Sequence, residues 1–173
     1  MNQPLLFSRK PATRYRAFSL IEVVVSLGIV SFCLINLLAL SVLGLEAMSN
    51  ASQQSGASNC LQQISTTLQN AVPNSSGAYQ ATYGLTNFSW SLNGQTNTTT
   101  LSNLSVDGLP STNVPDQRLI AHVEIDSPTN ANLPGSALVS VAWPNRAKWN
   151  TTTKSWSNAQ GSVSCYVIFL PGQ

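Results

Sequence analysis

The chain is poor in charge. Only 8% of its 173 residues are Asp, Glu, Lys or Arg, there is one histidine, and the three cysteines form no C-x-x-C pair. Each shortage excludes something. With His122 alone there is no convergent set of titratable groups for acid–base or nucleophilic chemistry, and no nucleophile elbow or Gly-rich phosphate loop appears, so the sequence does not read as an enzyme. Asp107, Asp116, Glu124 and Asp126 lack the D-x-D-x-D-G spacing of a calcium loop, so neither a metal nor a cofactor is expected. The net charge of +2 is not a nucleic-acid footprint either. Arg9, Lys10, Arg14 and Arg16 all precede Phe18, which leaves Arg118, Arg146, Lys148 and Lys154 against all six acids. Four scattered cations are too few to grip a phosphate backbone, and no nucleic-acid partner is expected.

What the chain does have is one long apolar run. Val23 to Leu45 carries no charge, is relieved only by Ser26, Gly28, Ser31, Asn36, Ser41 and Gly44, and is long enough to cross a hydrocarbon core as a helix. The basic residues before it are a positive-inside signal, which predicts a cytoplasmic N-terminus and an exported C-terminal part. Glu22 sits just inside the run. A carboxylate there costs a few kcal/mol unless something neutralises it. A Sec signal peptide has a shorter apolar core, a lipoprotein signal ending at Cys33 would not have the bulky Phe32 before it, and a plain uncleaved anchor leaves Glu22 without a partner.

The basic leader, the small residue Ala17, then Phe18-Ser19-Leu20-Ile21-Glu22 and the apolar helix resemble the class III signal and N-terminal helix of type IV prepilins and pseudopilins. The resemblance covers about 30 residues and implies several things. A prepilin peptidase would cut between Ala17 and Phe18, Phe18 would be N-methylated, and Glu22, fifth in the mature chain, would pair with a neighbouring subunit's N-terminus during filament assembly. Where the family usually has Gly before the cut this chain has Ala17, a side chain still small enough for a narrow peptidase pocket. A 17-residue leader is commoner among minor pilins and pseudopilins than major pilins. The run Val139-x-Val141-x-Trp143 looks like a segment of the type IV pilus modification proteins, and of small prepilin-like proteins encoded in verrucomicrobial gene cassettes. The partners implied are the peptidase, other pilins or pseudopilins, the assembly platform and the bacterial inner membrane.

Behind the apolar run the helical period continues. Ala57, Leu61, Ile64, Leu68 and Ala71 recur at spacings of 4, 3, 4 and 3, one stripe of an amphipathic helix, and no proline appears until Pro73. The expected layout is a leader (1–17), a transmembrane or filament-core helix (18–45), its amphipathic continuation (46–72) and a β-rich head (73–173). Phe88, Trp90 and Leu92 alternate with polar residues, and Asn93-Gly94 predicts a hairpin to a return strand between Thr96 and Val106. Leu119, Ala121, Val123 and Ile125 share one face of a strand whose outward face carries His122, read as solvated. Ala137, Val139, Val141 and Trp143 line another strand. Val163, Cys165, Val167 and Phe169 line a last one, whose other face is also apolar at Tyr166, Ile168 and Leu170, so it is expected to be central or covered by the helix. Four or five antiparallel strands packed on the C-terminal half of one long helix make an α+β, pilin-like fold.

Two features of the head remain open at the level of sequence. Cys60 and Cys165 are either joined in an oxidising compartment or are two separate buried thiols. Trp149 and Trp156, near Lys148 and Lys154, are either an exposed surface for sugars or bases or the pins of the long connection from Asn145 to Gly161. The second kind of reading for the whole protein is a membrane-tethered binding module, in which the helix is only an uncleaved anchor.

Overall fold

A computed structural model describes residues 19 to 170. It comprises a helix, α1 (Leu20–Gln69), followed by nine strands: β1 (Val72–Pro73), β2 (Tyr79–Tyr83), β3 (Thr86–Trp90), β4 (Thr96–Ser105), β5 (Gln117–Asp126), β6 (Gly135–Trp143), β7 (Lys148–Asn150), β8 (Ser155–Ser157) and β9 (Gly161–Phe169). The described residues divide into two units at Leu45. Up to that point α1 is apolar on every side and no residue is buried. It contains a stretch long and apolar enough to cross a membrane.

From Glu46 onward the chain is an α+β unit in which the rest of α1 packs on antiparallel sheet. Ala57, Cys60, Leu61, Ile64 and Leu68 are its buried side chains on the helix, beside the buried Gly56, with Ala71 partly buried next to them, so the expected stripe is the buried one and Cys60 extends it. Each large aliphatic side chain in that stripe contributes about 1.5–3 kcal/mol of transfer free energy. The facing layer is a four-stranded sheet in the order β4-β5-β6-β9. Leu119, Ala121, Val123 and Ile125 of β5 and Ala137, Val139, Val141 and Trp143 of β6 join the same core. A second sheet, β1-β2-β3, adds Tyr79, Ala81, Tyr83, Phe88 and Trp90. Trp90 stacks on Tyr79 with centroids 5.9 Å apart and meets Phe169 edge-on at 5.2 Å.

Two expectations of the strand layout are corrected. Asn93-Gly94 does not close a hairpin, because β3 pairs with β2 across the two-residue turn Gly84-Leu85, while β4 pairs with β5. Gly94 has φ +69°, so the Asn-Gly signal marks a real left-handed turn, but that turn passes the chain from one sheet to the next. The long connection from Asn145 to Gly161 carries strand pairing of its own. It folds into the β7–β8 hairpin, with Trp149 opposite Trp156. Finally, β9 is not central, and only its inner face, with Val167 and Phe169 buried, is covered. It is an edge strand, with Tyr166 73% and Ile168 69% exposed. Its apolar second face stays open, because the tryptophans of the β7–β8 hairpin lie over His122 of β5 and Ser140 of β6.

The closest approach in the unit is between α1 and the loop after β4. A Cβ built on Gly56 would lie 1.7 Å from the Val106 carbonyl oxygen, and one on Gly108 would lie 2.3 Å from the Gly56 oxygen. Asn59 Nδ2 donates to the Asp107 carbonyl at 3.0 Å, and the Tyr83 hydroxyl donates to the Gly108 carbonyl, so the loop is held from both layers. Gly56→Ala should therefore destabilise the unit by about 1–3 kcal/mol through overpacking, although alanine inside a helix normally gains about 1 kcal/mol over glycine. Urea unfolding of the detergent-solubilised chain checks the sign; an unchanged or raised midpoint would contradict this close packing.

Candidate functional site

Two places carry unusual side chains, and each lies within one unit. The first is the N-terminal edge of α1. Ser19 precedes the first helical residue, and its backbone N–H donates to Glu22 Oε2 at 3.0 Å while Glu22 N–H donates to the Ser19 carbonyl, also at 3.0 Å. The carboxylate thus returns to cap the helix start, the Glu half of a capping box whose signature Ser-x-x-Glu stands in the sequence. Further along, Ser26 Oγ, Asn36 Nδ2 and Ser41 Oγ donate to the carbonyls of Glu22, Phe32 and Leu37, at 2.7, 3.0 and 2.8 Å. These donors are satisfied inside the helix, which suits an apolar surrounding. Glu22 is therefore the charged group on an otherwise neutral, wholly exposed apolar surface. Ala17 and Phe18, with the basic residues before them, lie outside the described residues.

The second place is the outer face of the four-stranded sheet. His122 is not solvated: it is 4% exposed, roofed by Trp149 in a stack with centroids 4.7 Å apart and an interplanar angle of 19°. Trp156 meets Trp149 edge-on at 5.2 Å and donates from Nε1 to Ser140 Oγ at 2.7 Å; Ser140 in turn lies 2.6 Å from Ser164 Oγ. Lys154, in the β7–β8 turn with φ 45°, reaches Glu124 at 2.9 Å. Trp149 and Trp156 are half-buried, so their faces are engaged in closing the hairpin onto the sheet. Ile120, Ala142 and Ala147 form the small apolar core beneath them. His122 Nδ1 pairs with Thr100 Oγ1 at 3.1 Å, while His122 Nε2 and Trp149 Nε1 are buried without a partner among the described residues.

Cys60 and Cys165 are both free thiols. Cys60 lies on α1 beneath the Gly108 loop, whereas Cys165 lies on β9 opposite Val139. Burial pushes the Cys60 thiol up to about 11, against the lowering effect of its hydrogen bond with Tyr83, and burial also raises Cys165. Tyr83 is raised too, first by burial and then by Cys60. Thiols held protonated in this way are structural apolar groups, not nucleophiles. A cavity of about 440 Å³ opens between the Gly84-Leu85 turn, β4 and Pro110, and its lining is uncharged. Neither the aromatic face nor this cavity gathers the groups a reaction needs.

No family model matches this chain, and no curated protein or solved structure matches it.

His122 supplies a pH test of the outer face. Burial lowers its pKa below the ordinary 6.5, and Glu124 opposes that only in part. The folded state thus favours the neutral ring. Its contribution is fully present above pH 6.5 and is lost as pH falls through 6.5 toward the lower folded value. The melting temperature should drop between about pH 7.5 and pH 5 more for the native chain than for His122→Gln, which cannot charge. Parallel pH profiles would show the burial argument to be wrong.

Proposed function

We propose that this chain is a pilin-like structural subunit of a type IV pilus or a secretion-type pseudopilus. In this reading a prepilin peptidase cuts between Ala17 and Phe18, and Phe18 becomes the methylated N-terminus. The span up to Leu45 holds the subunit in the bacterial inner membrane, N-terminus inward and head outward, until the assembly platform draws it into a filament.

The observation that carries the reading is the character of α1. One unbroken helix has an N-terminal half that is apolar on all sides and carries a single carboxylate at its edge, and a C-terminal half that is the spine of a β-rich head. An ordinary anchor would use that carboxylate only as the cap of its own helix. In a bundle of like helices, burial of the apolar surface supplies affinity, and a charge that is costly unless paired disfavours misregistered neighbours. The partner that the resemblance supplies is the amine of an adjacent Phe18. The rival reading of a tethered binding module finds no support in Trp149 and Trp156, whose faces are engaged on the sheet.

Glu22 has a second duty, as the cap of its own helix, and the two duties separate by substitution. Glu22→Gln keeps the capping geometry, since Gln serves at that position of a capping box, but removes the charge. Glu22→Ala removes both. Both variants should insert in the membrane as the native chain does, and both should fail to enter filaments sheared from cells. Incorporation of Glu22→Gln at the native level, with loss only in Glu22→Ala, would reduce Glu22 to a cap and overturn the pairing role.

A further inference from the structure

Among the described residues, four asparagines fold their side chains forward onto the backbone that follows them. Asn74 Oδ1 accepts from the N–H groups of Ser76 and Ala78, Asn93 Oδ1 from Gln95, Asn130 Oδ1 from Asn132, and Asn150 Oδ1 from Thr152 and Thr153, at 2.9 to 3.1 Å. A donor aimed at a carbonyl oxygen stabilises negative charge that develops there, so each of these bonds makes the side-chain Cγ a better electrophile. The nearest nucleophile is the backbone nitrogen of the next residue, which would close a five-membered ring on Cγ. A nucleophile tethered in this way needs no encounter to react.

What separates the four is that next residue: Ser75, Gly94, Ala131 and Thr151. Three of them carry a Cβ that crowds the attacking nitrogen, and Gly94 carries none. Asn93 is also the sole asparagine of the chain with glycine after it. Asn93, Gly94 and Gln95 are all exposed, and Gly94 holds φ +69°. The Gly94 N–H donates to no acceptor among the described residues, and Asn93 Nδ2, the group that would leave, has no partner among them either. The turn thus presents a free nucleophile, a polarised electrophile and an unrestrained leaving group.

We infer that Asn93-Gly94 is a site of self-modification, at which the folded chain in water converts asparagine to a mixture of isoaspartyl and aspartyl residues. Hydroxide removes the Gly94 N–H proton, and the nitrogen attacks Asn93 Cγ. A C–N bond forms while charge passes to Oδ1 beneath the Gln95 N–H. Collapse breaks the Cγ–Nδ2 bond, and Nδ2 takes up a proton from water and departs as ammonia. Water then opens the ring at either carbonyl. Opening at Cγ leaves an aspartate at position 93, and opening at the main-chain carbonyl leaves an isoaspartyl link that runs through Cβ and Cγ. Nothing is oxidised or reduced. Both products bring a negative charge to the entry of β4, where the Gln95 carbonyl accepts from Ser127 N–H at 3.0 Å and Thr96 Oγ1 donates to Asp126 at 2.7 Å. The inference concerns the head alone and does not depend on the filament reading.

The test is incubation of the folded full chain in detergent micelles at mildly alkaline pH. Peptide mass mapping locates the converted residue, and isoaspartyl methyltransferase with labelled S-adenosylmethionine is the probe for the isoaspartyl product. Conversion at Asn93 should precede any at Asn74, Asn130 or Asn150, should yield methyl-accepting product, and should quicken as pH rises. Gly94→Ala should slow it at least about tenfold. Because alanine is strained at a positive φ, the ranking of the four asparagines within the native chain stands as a readout that needs no variant. Earlier conversion at any of the other three, conversion of Asn93 only after unfolding in urea, or an unchanged rate in Gly94→Ala would overturn the inference.

Discussion

The head depends on the burial of one helical stripe. Ala57, Cys60, Leu61, Ile64 and Leu68 meet the inner faces of β5 and β6 and the aromatic residues of β2 and β3, and they have no other place to go. A sheet of four strands with a second, smaller sheet beside it cannot close a core by itself; the helix supplies the missing layer. The close passage of Gly56 and Gly108 belongs to the same constraint, since the loop that crosses the helix can approach only where neither backbone carries a Cβ. Once the inner face is occupied, the outer face of β5 and β6 is left needing cover. The short β7–β8 hairpin provides it with two tryptophans and one ion pair.

That division explains which parts of the fold were legible in the sequence. The stripe on α1 and the core faces of β5 and β6 follow directly from periods of 3.6 and 2, because those residues each see a single environment. The same reasoning fails where the outcome depends on which strand lies beside which. The Asn93-Gly94 turn has the chemistry of a hairpin, yet nothing local says that Phe88 and Trp90 will pair with Tyr79 and Ala81 and not with the strand that follows. The five residues of β2 alternate cleanly, but an alanine at the centre weakens the apolar period that would mark a strand. His122 alternates outward as a solvated residue would. Its burial is decided by Trp149, 27 positions away, through a stack no spacing rule anticipates.

The candidate site at the helix start was legible in a different sense. Glu22 stands out by its charge alone, and the capping box formed with Ser19 is written in the sequence as Ser-x-x-Glu. The two roles are compatible. A carboxylate that caps its own helix is held at the helix edge, where a neighbouring amine would meet it with little further loss of side-chain freedom. The apolar residues that follow are exposed on every side, a surface that suits a bilayer or a helical bundle.

The proposed function requires that the leader be removed so that Phe18 becomes the N-terminus. Intact-mass and N-terminal peptide spectrometry of the protein from its native envelope tests this most directly. The account predicts a chain beginning at Phe18 with a methylated amine. A chain that retains Met1, or that begins anywhere else, would contradict it.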